Sequence, residues 1–286
     1  MASSPSSSKA ALFKSAIAQI SDCHLFADVK GLHHGANVYN NLLRVLRSIR
    51  ENPLIEAIVF TGDLTQDHTE ASYQNFVTAI KHEKISVPVY FLAGNHDEVL
   101  LLNKFLAGVP FRSEKTINTK HWQVQLLHSK SDTPAGIVDE KNIKRVINTL
   151  DVDKHQLLMM HHHPVNVGYF IDNHGLLNKA MFWSQIKNIP NLAAIACGHV
   201  HRASKIVKNK HLFDVGGTQV SSIEHSLNKK IVSAKVAQCT DVYTCPATSI
   251  QFDPEAETVK ALEKGPGYRL FYLGINGTLT SDPIWC

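Results

Sequence analysis

The chain has 286 residues, 44% of them hydrophobic and 19% charged, a globular composition that excludes a disordered, collagenous or coiled-coil protein. Twenty-nine basic against 25 acidic side chains leave a net charge of +4, too slight and too dispersed to argue for nucleic acid as a partner. No apolar run approaches the ~18 residues of a membrane-spanning helix.

The Ser-rich start, residues 1–10, reads as a disordered tail, and residues 11–286 as one domain. The start lacks the basic region of a secretory signal. The five cysteines, at 23, 197, 239, 245 and 286, are odd in number and irregularly spaced. They form no disulfide framework, which points to a reducing, cytoplasmic setting.

An apolar strand is expected over Ala16–Ile20, then a helix over Asn37–Ile49 with Val38, Leu42, Leu43, Val45, Leu46 and Ile49 on one stripe. A strand over Ile55–Phe60, a helix over Glu70–Lys81 and a strand over Val87–Leu92 continue the alternation. Strands alternating with helices imply βαβ units and parallel pairing. The second half predicts strands at Trp122–Leu127, Leu157–Met160 and Leu192–Ala196, and helices at Lys141–Leu150 and Leu176–Ile186. Short β-type pieces at Leu212–Val215, Thr248–Phe252 and Tyr268–Leu273 suggest an antiparallel sheet closing the fold. The polar stretch from Lys205 to Cys245 is left unassigned.

Five of these strands end in polar groups of one chemical kind: Asp22-Cys23-His24, Gly62-Asp63, Gly94-Asn95-His96-Asp97, His161-His162-His163 and Gly198-His199-Val200-His201. In open α/β sheets, function gathers beyond the carboxyl ends of the strands. Residues two apart in an extended segment point the same way, so Asp22 with His24, and His199 with His201, can reach one cluster. Each group alone has an ordinary explanation as a cap, a turn or a surface run. Together they supply carboxylate, imidazole and carboxamide ligands, a set that suits Fe, Mn or Zn. The chain holds 17 histidines, and their clustering points the same way.

This ordered set, from about Ile20 to His201, resembles the calcineurin-like metallophosphoesterase superfamily. The segments Gln19–Phe26, Thr61–Asp67 and His161–Pro164 are most similar to bacterial class III 3′,5′-cyclic-AMP phosphodiesterases. Gly265–Arg269 and Asn276–Leu279 add weaker support. The resemblance implies an α/β fold of two packed mixed β-sheets flanked by helices, with two divalent or trivalent metal ions in the cleft. Fe and Mn are favoured and Zn is acceptable. By the same resemblance Asp22, His24 and His201 hold one metal, and Asn95, His161 and His199 the other, with Asp63 bridging. His161 is preferred to His162 as the first histidine after its strand, although His163 stands where similar proteins often carry proline. His96 is the catalytic residue, and His24, Asp63, Asn95, His96 and His201 contact substrate.

The implied reaction is hydrolysis of cyclic AMP to 5′-AMP by a hydroxide shared between two metals, with His96 protonating the leaving 3′-oxygen. The expected partner is a small cyclic nucleotide, with no membrane and no nucleic acid. Another phosphodiesterase of the superfamily, acting on glycerophosphodiesters or dinucleotides, and a catalytically silent binding protein remain as alternatives.

Overall fold

The computed structural model describes residues 15–208 and 240–286. The expected tail at 1–10, the strand at 212–215 and Cys239 lie outside the described residues. In chain order the strands of the first half are β1 (Ala16–Ile20), β2 (Leu32–His33), β3 (Ala36–Asn37), β4 (Ile55–Phe60), β5 (Val89–Phe91), β6 (Phe111–Arg112) and β7 (Thr116–Asn118). Those that follow are β8 (Trp122–Leu126), β9 (His155–Met160), β10 (Leu192–Cys197), β11 (Ser204–Lys208), β12 (Thr240–Thr244), β13 (Gly267–Leu273) and β14 (Leu279–Trp285). The helices are α1 (Val38–Arg50), α2 (Glu70–His82), α3 (Val99–Phe105), α4 (Glu140–Asn148) and α5 (Lys179–Ile186).

Two six-stranded sheets form, in the orders β14-β13-β1-β4-β5-β6 and β11-β12-β10-β9-β8-β7. The middle of each is parallel and its outer strands include antiparallel ones, so both sheets are mixed. A strand's period of two makes this stacking possible, because alternate residues serve opposite faces. In β1, Ala16, Ala18 and Ile20 pack outward against α1 and α2, while Ile17 joins the core between the sheets. In β9, Leu157 and Met159 face that shared core, and Leu158 and Met160 face outward with residues of α4 and α5. Both faces of each central strand are thus dry, which is why these segments read as continuous apolar runs.

Three of the five described helices start where the sequence supplies a cap. Asn37, Thr69 and Asp139 each accept a backbone N–H through the side chain, at the starts of α1, α2 and α4. No helix of the described residues is long and apolar enough to cross a membrane.

Several expectations need correction. The helix expected from Leu176 begins only at Lys179, after a 3-10 turn over Phe170–His174. Leu176 and Leu177 instead give their N–H groups to His163 and Gly136, as a strand would. Thr248–Phe252 is a loop, not a strand, joined to its surroundings by one bridge between Phe252 and Ala261. Its Thr248 and Ser249 N–H groups bond to Ser21 and Asp22, which ties the loop to the end of β1. The last strands form no separate sheet: β11 and β12 extend one sheet, and β13 and β14 the other. Helix α3 and the short strands β2, β3, β6 and β7 were not legible, because two or three residues carry no period, and α3 leaves Leu100 85% exposed.

Gly62 shows how tightly the strand ends are built. Its φ is +106°, and a Cβ there would overlap the backbone of Gly94 and His161 Nδ1. Gly168 shares a positive φ, +93°, but faces open space. Gly62→Ala should therefore lower stability by at least about 2 kcal/mol, and Gly168→Ala by about 1 kcal/mol. Urea unfolding of the two variants measures the difference, and equal losses would contradict the overlap.

Candidate metal centre

The loops after β1 and β4 run side by side beyond the sheet. Asp22 N–H bonds to Gly62 O at 2.8 Å, His24 N–H to Asp63 O at 3.1 Å and Leu25 N–H to Leu64 O at 2.8 Å. Asp22, His24, Asp63, His199 and His201 all adopt left-handed backbone, with φ between +48° and +64°. Non-glycine residues seldom sit there, although Asp and His do so more readily than most. The bend turns each side chain off its strand and into the space between the two sheets' ends.

The structure brings together every candidate residue named from the sequence. Asp22, His24 and His201 form one group, and Asp22, Asp63 and His161 another, with ligand atoms within 4.8 Å of one another in each. His24, Asp63 and His96 do the same, as do His161, His162 and His199. Asp63 Oδ2 lies 3.4 Å from His161 Nε2 and 3.8 Å from His24 Nε2, so it stands between the two halves. Asn95 Oδ1 is 3.0 Å from His161 Nε2.

Hydrogen bonds behind the rings fix which nitrogen faces inward. His161 Nδ1 donates to Thr61 O at 2.7 Å, His201 Nδ1 to Ile250 O at 2.8 Å and His24 Nδ1 to Gln66 Oε1 at 2.8 Å. A carbonyl can only accept, so each Nδ1 carries a proton and each Nε2 is left to face the centre. His24 Nε2 and His201 Nε2 then face each other at 3.1 Å, and His199 Nε2 is buried without a partner among the described residues.

The middle cluster separates by the same reasoning. His162 donates through Nε2 to Pro134 O at 3.1 Å, and its Nδ1 lies 2.9 Å from Ser129 Oγ. The Ser129 hydroxyl oxygen accepts the His162 N–H, leaving its proton for Nδ1. Both His162 nitrogens are therefore engaged away from the site. His163 Nε2 donates to Asp172 Oδ1 at 3.1 Å. Only His161 of the three turns its Nε2 toward Asp63 and Asn95.

Electrostatics follows from burial. Burial, with the neighbouring imidazoles, holds His24 and His199 well below the usual histidine range. Burial would do the same to His161, but the Asp63 carboxylate beside it pushes it up to about 9. Burial opposes ionisation of Asp63, yet His161 and His24 hold its carboxyl well below the carboxylate range. Burial also lowers His96, and the charge of Asp63 partly offsets this.

Four supports escaped the sequence reading. Asp97 accepts the N–H groups of Asp63, Leu64 and Gly94, each at 2.8 Å. Burial and the charge of Asp63 nonetheless carry it up to about 7. It sat inside the Gly94–Asp97 motif, and the motif was its only signal. Gln66 and the Ile250 carbonyl orient the His24 and His201 rings, and Phe252 stacks on His201 with centroids 3.9 Å apart and planes within 5°. Nothing local in the sequence marks Ile250 and Phe252, which lie some fifty residues past His201.

A family model for calcineurin-like phosphoesterases matches residues 15–203. The chain belongs to the calcineurin-like phosphoesterase family. Among relatives of this phosphoesterase, a probable cyclic nucleotide phosphodiesterase of Colwellia psychrerythraea is 52% identical over 93% of both chains. The 3′,5′-cyclic adenosine monophosphate phosphodiesterase CpdA of Escherichia coli is 28% identical over 93% of this chain and 88% of its own. A solved dimetal phosphatase from Danio rerio, 10% identical, shares the fold over 96% of both chains with a TM-score of 0.61. The phosphoesterase fold is therefore the two-sheet sandwich expected from the sequence.

The donor set fits the metals that this family implies. Facing lone pairs on His24 and His201, and a buried lone pair on His199, repel one another unless a cation lies among them. Oxygen and nitrogen donors of this mix suit borderline divalent metals.

One supporting pair gives a pH test. Partial burial would raise Asp172, but the His163 hydrogen bond and the N–H groups of Val167 and Gly168 outweigh it and hold the carboxyl at about 2. An unfolded Asp titrates near ~3.9. The stability contributed by Asp172 is thus complete above about pH 4 and lost as the pH falls toward about 2. Tm followed from about pH 5 to pH 2 should fall more steeply in the parent than in Asp172→Asn. Parallel curves would contradict the assignment.

Proposed function

We propose that this phosphoesterase hydrolyses 3′,5′-cyclic AMP to 5′-AMP at a dinuclear metal centre. The observation that carries the metal centre is the convergence of carboxylate and imidazole atoms on one buried space, with His199 Nε2 unpartnered among the described residues. The printed names of the relatives from Colwellia psychrerythraea and Escherichia coli support a cyclic nucleotide as substrate.

In this reading Asp22, His24 and His201 hold one metal, Asn95, His161 and His199 hold the second, and Asp63 serves both. His161 is chosen over His162 because His162 has no nitrogen left to offer. Fe and Mn are the preferred ions, with Zn acceptable. When bound, two such ions lower the pKa of water toward ~7 and neutralise charge on the phosphate oxygens.

His96 carries the remaining chemistry. Attack of water on phosphorus breaks the bond to the ribose 3′-oxygen, a poor leaving group that needs a proton. The His96 N–H of the main chain bonds to Asp63 Oδ1 at 2.9 Å, which fixes the residue beside the bridging carboxylate. Its ring packs edge-on against His24, centroids 4.9 Å apart, and its Nδ1 has no protein partner among the described residues. Burial lowers its pKa, whereas the negative charge of a bound phosphodiester raises it again. Lys130 Nζ holds the Asn95 carbonyl at 2.9 Å, pinning the peptide that joins Asn95 to His96.

Two experiments test this. Chelation should abolish hydrolysis of cyclic AMP and Mn or Fe should restore it, with 5′-AMP as the product by chromatography. Production of 3′-AMP, or hydrolysis only of glycerophosphodiesters or dinucleotides, would assign another substrate of the same family. His96→Ala should lower kcat/KM for cyclic AMP by about 10²–10⁴-fold. It should affect bis(p-nitrophenyl) phosphate far less, because p-nitrophenolate departs without a proton. An equal fall for both substrates would remove the acid role.

A further inference from the structure

Strands β2 and β3 make a hairpin whose register pairs Leu32 with Asn37 and His33 with Ala36. Its two turn residues, His34 and Gly35, have φ of +46° and +85°, the left-handed pair that a tight hairpin requires. The hairpin is held firmly from below. Asn37 caps α1 through Asn40 N–H and donates to Val29 O at 2.9 Å, and Gly31 lies flat against the Phe26 ring. Asn75 in turn donates to Phe26 O and Ala27 O, at 2.8 Å and 3.0 Å.

The support presents one side chain to the metal centre. The His33 ring lies parallel to that of His24, centroids 5.0 Å apart and planes within 7°. His24 is the ring against which His96 stands edge-on, so His33 and His96 flank one ligand. His33 is half-buried, and neither of its nitrogens has a hydrogen-bond partner among the described residues. A cavity of about 400 Å³ adjoins the hairpin, and its lining includes His34, Asn41, Arg44, Ser249, Ile250 and Lys264. That is within the range of small-molecule sites, about 300–1,000 Å³.

We propose that His33 is a specificity-determining substrate contact, hydrogen-bonding the body of the leaving group, the nucleoside portion of a nucleotide diester, as that body passes from His96 toward this cavity. The inference builds on the reading of His96 as the proton donor to the leaving oxygen. The phosphoryl oxygens belong to the metal side of the site. Whatever is attached to the oxygen that His96 protonates must extend past the groups beside His96. Of those groups His33 combines partial burial, a rigid support and unused nitrogens, whereas His68, stacked on His96 at 6.0 Å, is exposed.

The test compares the parent with His33→Ala, His33→Phe and His33→Asn, using cyclic AMP and bis(p-nitrophenyl) phosphate as substrates and measuring bound metal in each protein. Loss of one net hydrogen bond should lower the nucleotide-to-small-diester ratio of kcat/KM by about tenfold in the Ala and Phe variants. His33→Asn retains a donor and an acceptor and should recover most of the ratio. His33→Phe keeps a flat ring on His24, so its metal content should match the parent's. Metal loss in His33→Phe, or an unchanged ratio in both the Ala and Phe variants, would assign His33 a merely structural role and overturn the proposal. If the parent cleaves bis(p-nitrophenyl) phosphate but no cyclic nucleotide, the cyclic-nucleotide reading fails. The ratio, taken with the best nucleotide diester of a panel, then decides the role of His33 separately.

Discussion

Acceptor atoms aimed at one another in a buried space need positive charge among them. Asp22, His24, Asp63, His161, His199 and His201 are all buried, and the rings of His24, His161 and His201 each turn a protonated Nδ1 away from the centre. Isolated buried charges and lone pairs cost several kcal/mol each when unpaired. The remainder of the fold reads as the apparatus that holds them in place against that repulsion. Two sheets with parallel centres deliver their strand ends to one edge, and the helices outside seal the strands so firmly that the ends cannot splay.

The holding is done by residues with no chemistry of their own. Asp97 collects three main-chain N–H groups and so fixes the peptides on either side of Asp63 and before Asn95. The loop over Ala247–Phe252 donates its Thr248 and Ser249 N–H groups to the carbonyls of Ser21 and Asp22, orients His201 through Ile250 and covers its face with Phe252. Phe252 is backed in turn by Phe170, on the segment that Asp172 ties to His163. Such networks gain strength from being complete, since each member polarises and immobilises the next.

The parts legible in the sequence are those with a period or a punctuated end. Ala16–Ile20, Ile55–Phe60 and Leu192–Cys197 announce themselves as apolar runs that stop at Asp or Gly, and the residues after the stop are those that converge. Local reading failed where contacts from elsewhere decide the backbone. Thr248–Phe252 has strand-like composition, but its N–H groups are claimed by the end of β1, so it runs as a loop. Leu176 has helical neighbours, but its N–H is claimed by His163. The contributions of Phe252, Ile250 and His33 depend on chain segments that only the folded topology makes adjacent.

The left-handed backbone at Asp22, His24, Asp63, His199 and His201 has a consequence for stability. Each residue occupies a conformation that glycine adopts freely and that Asp and His adopt at a penalty of order 1 kcal/mol. The molecule therefore stores strain at the site itself, and the packed apolar strands behind it supply the stability that offsets the strain. Folding and the chemistry of the centre are in this way imposed on separate parts of the chain.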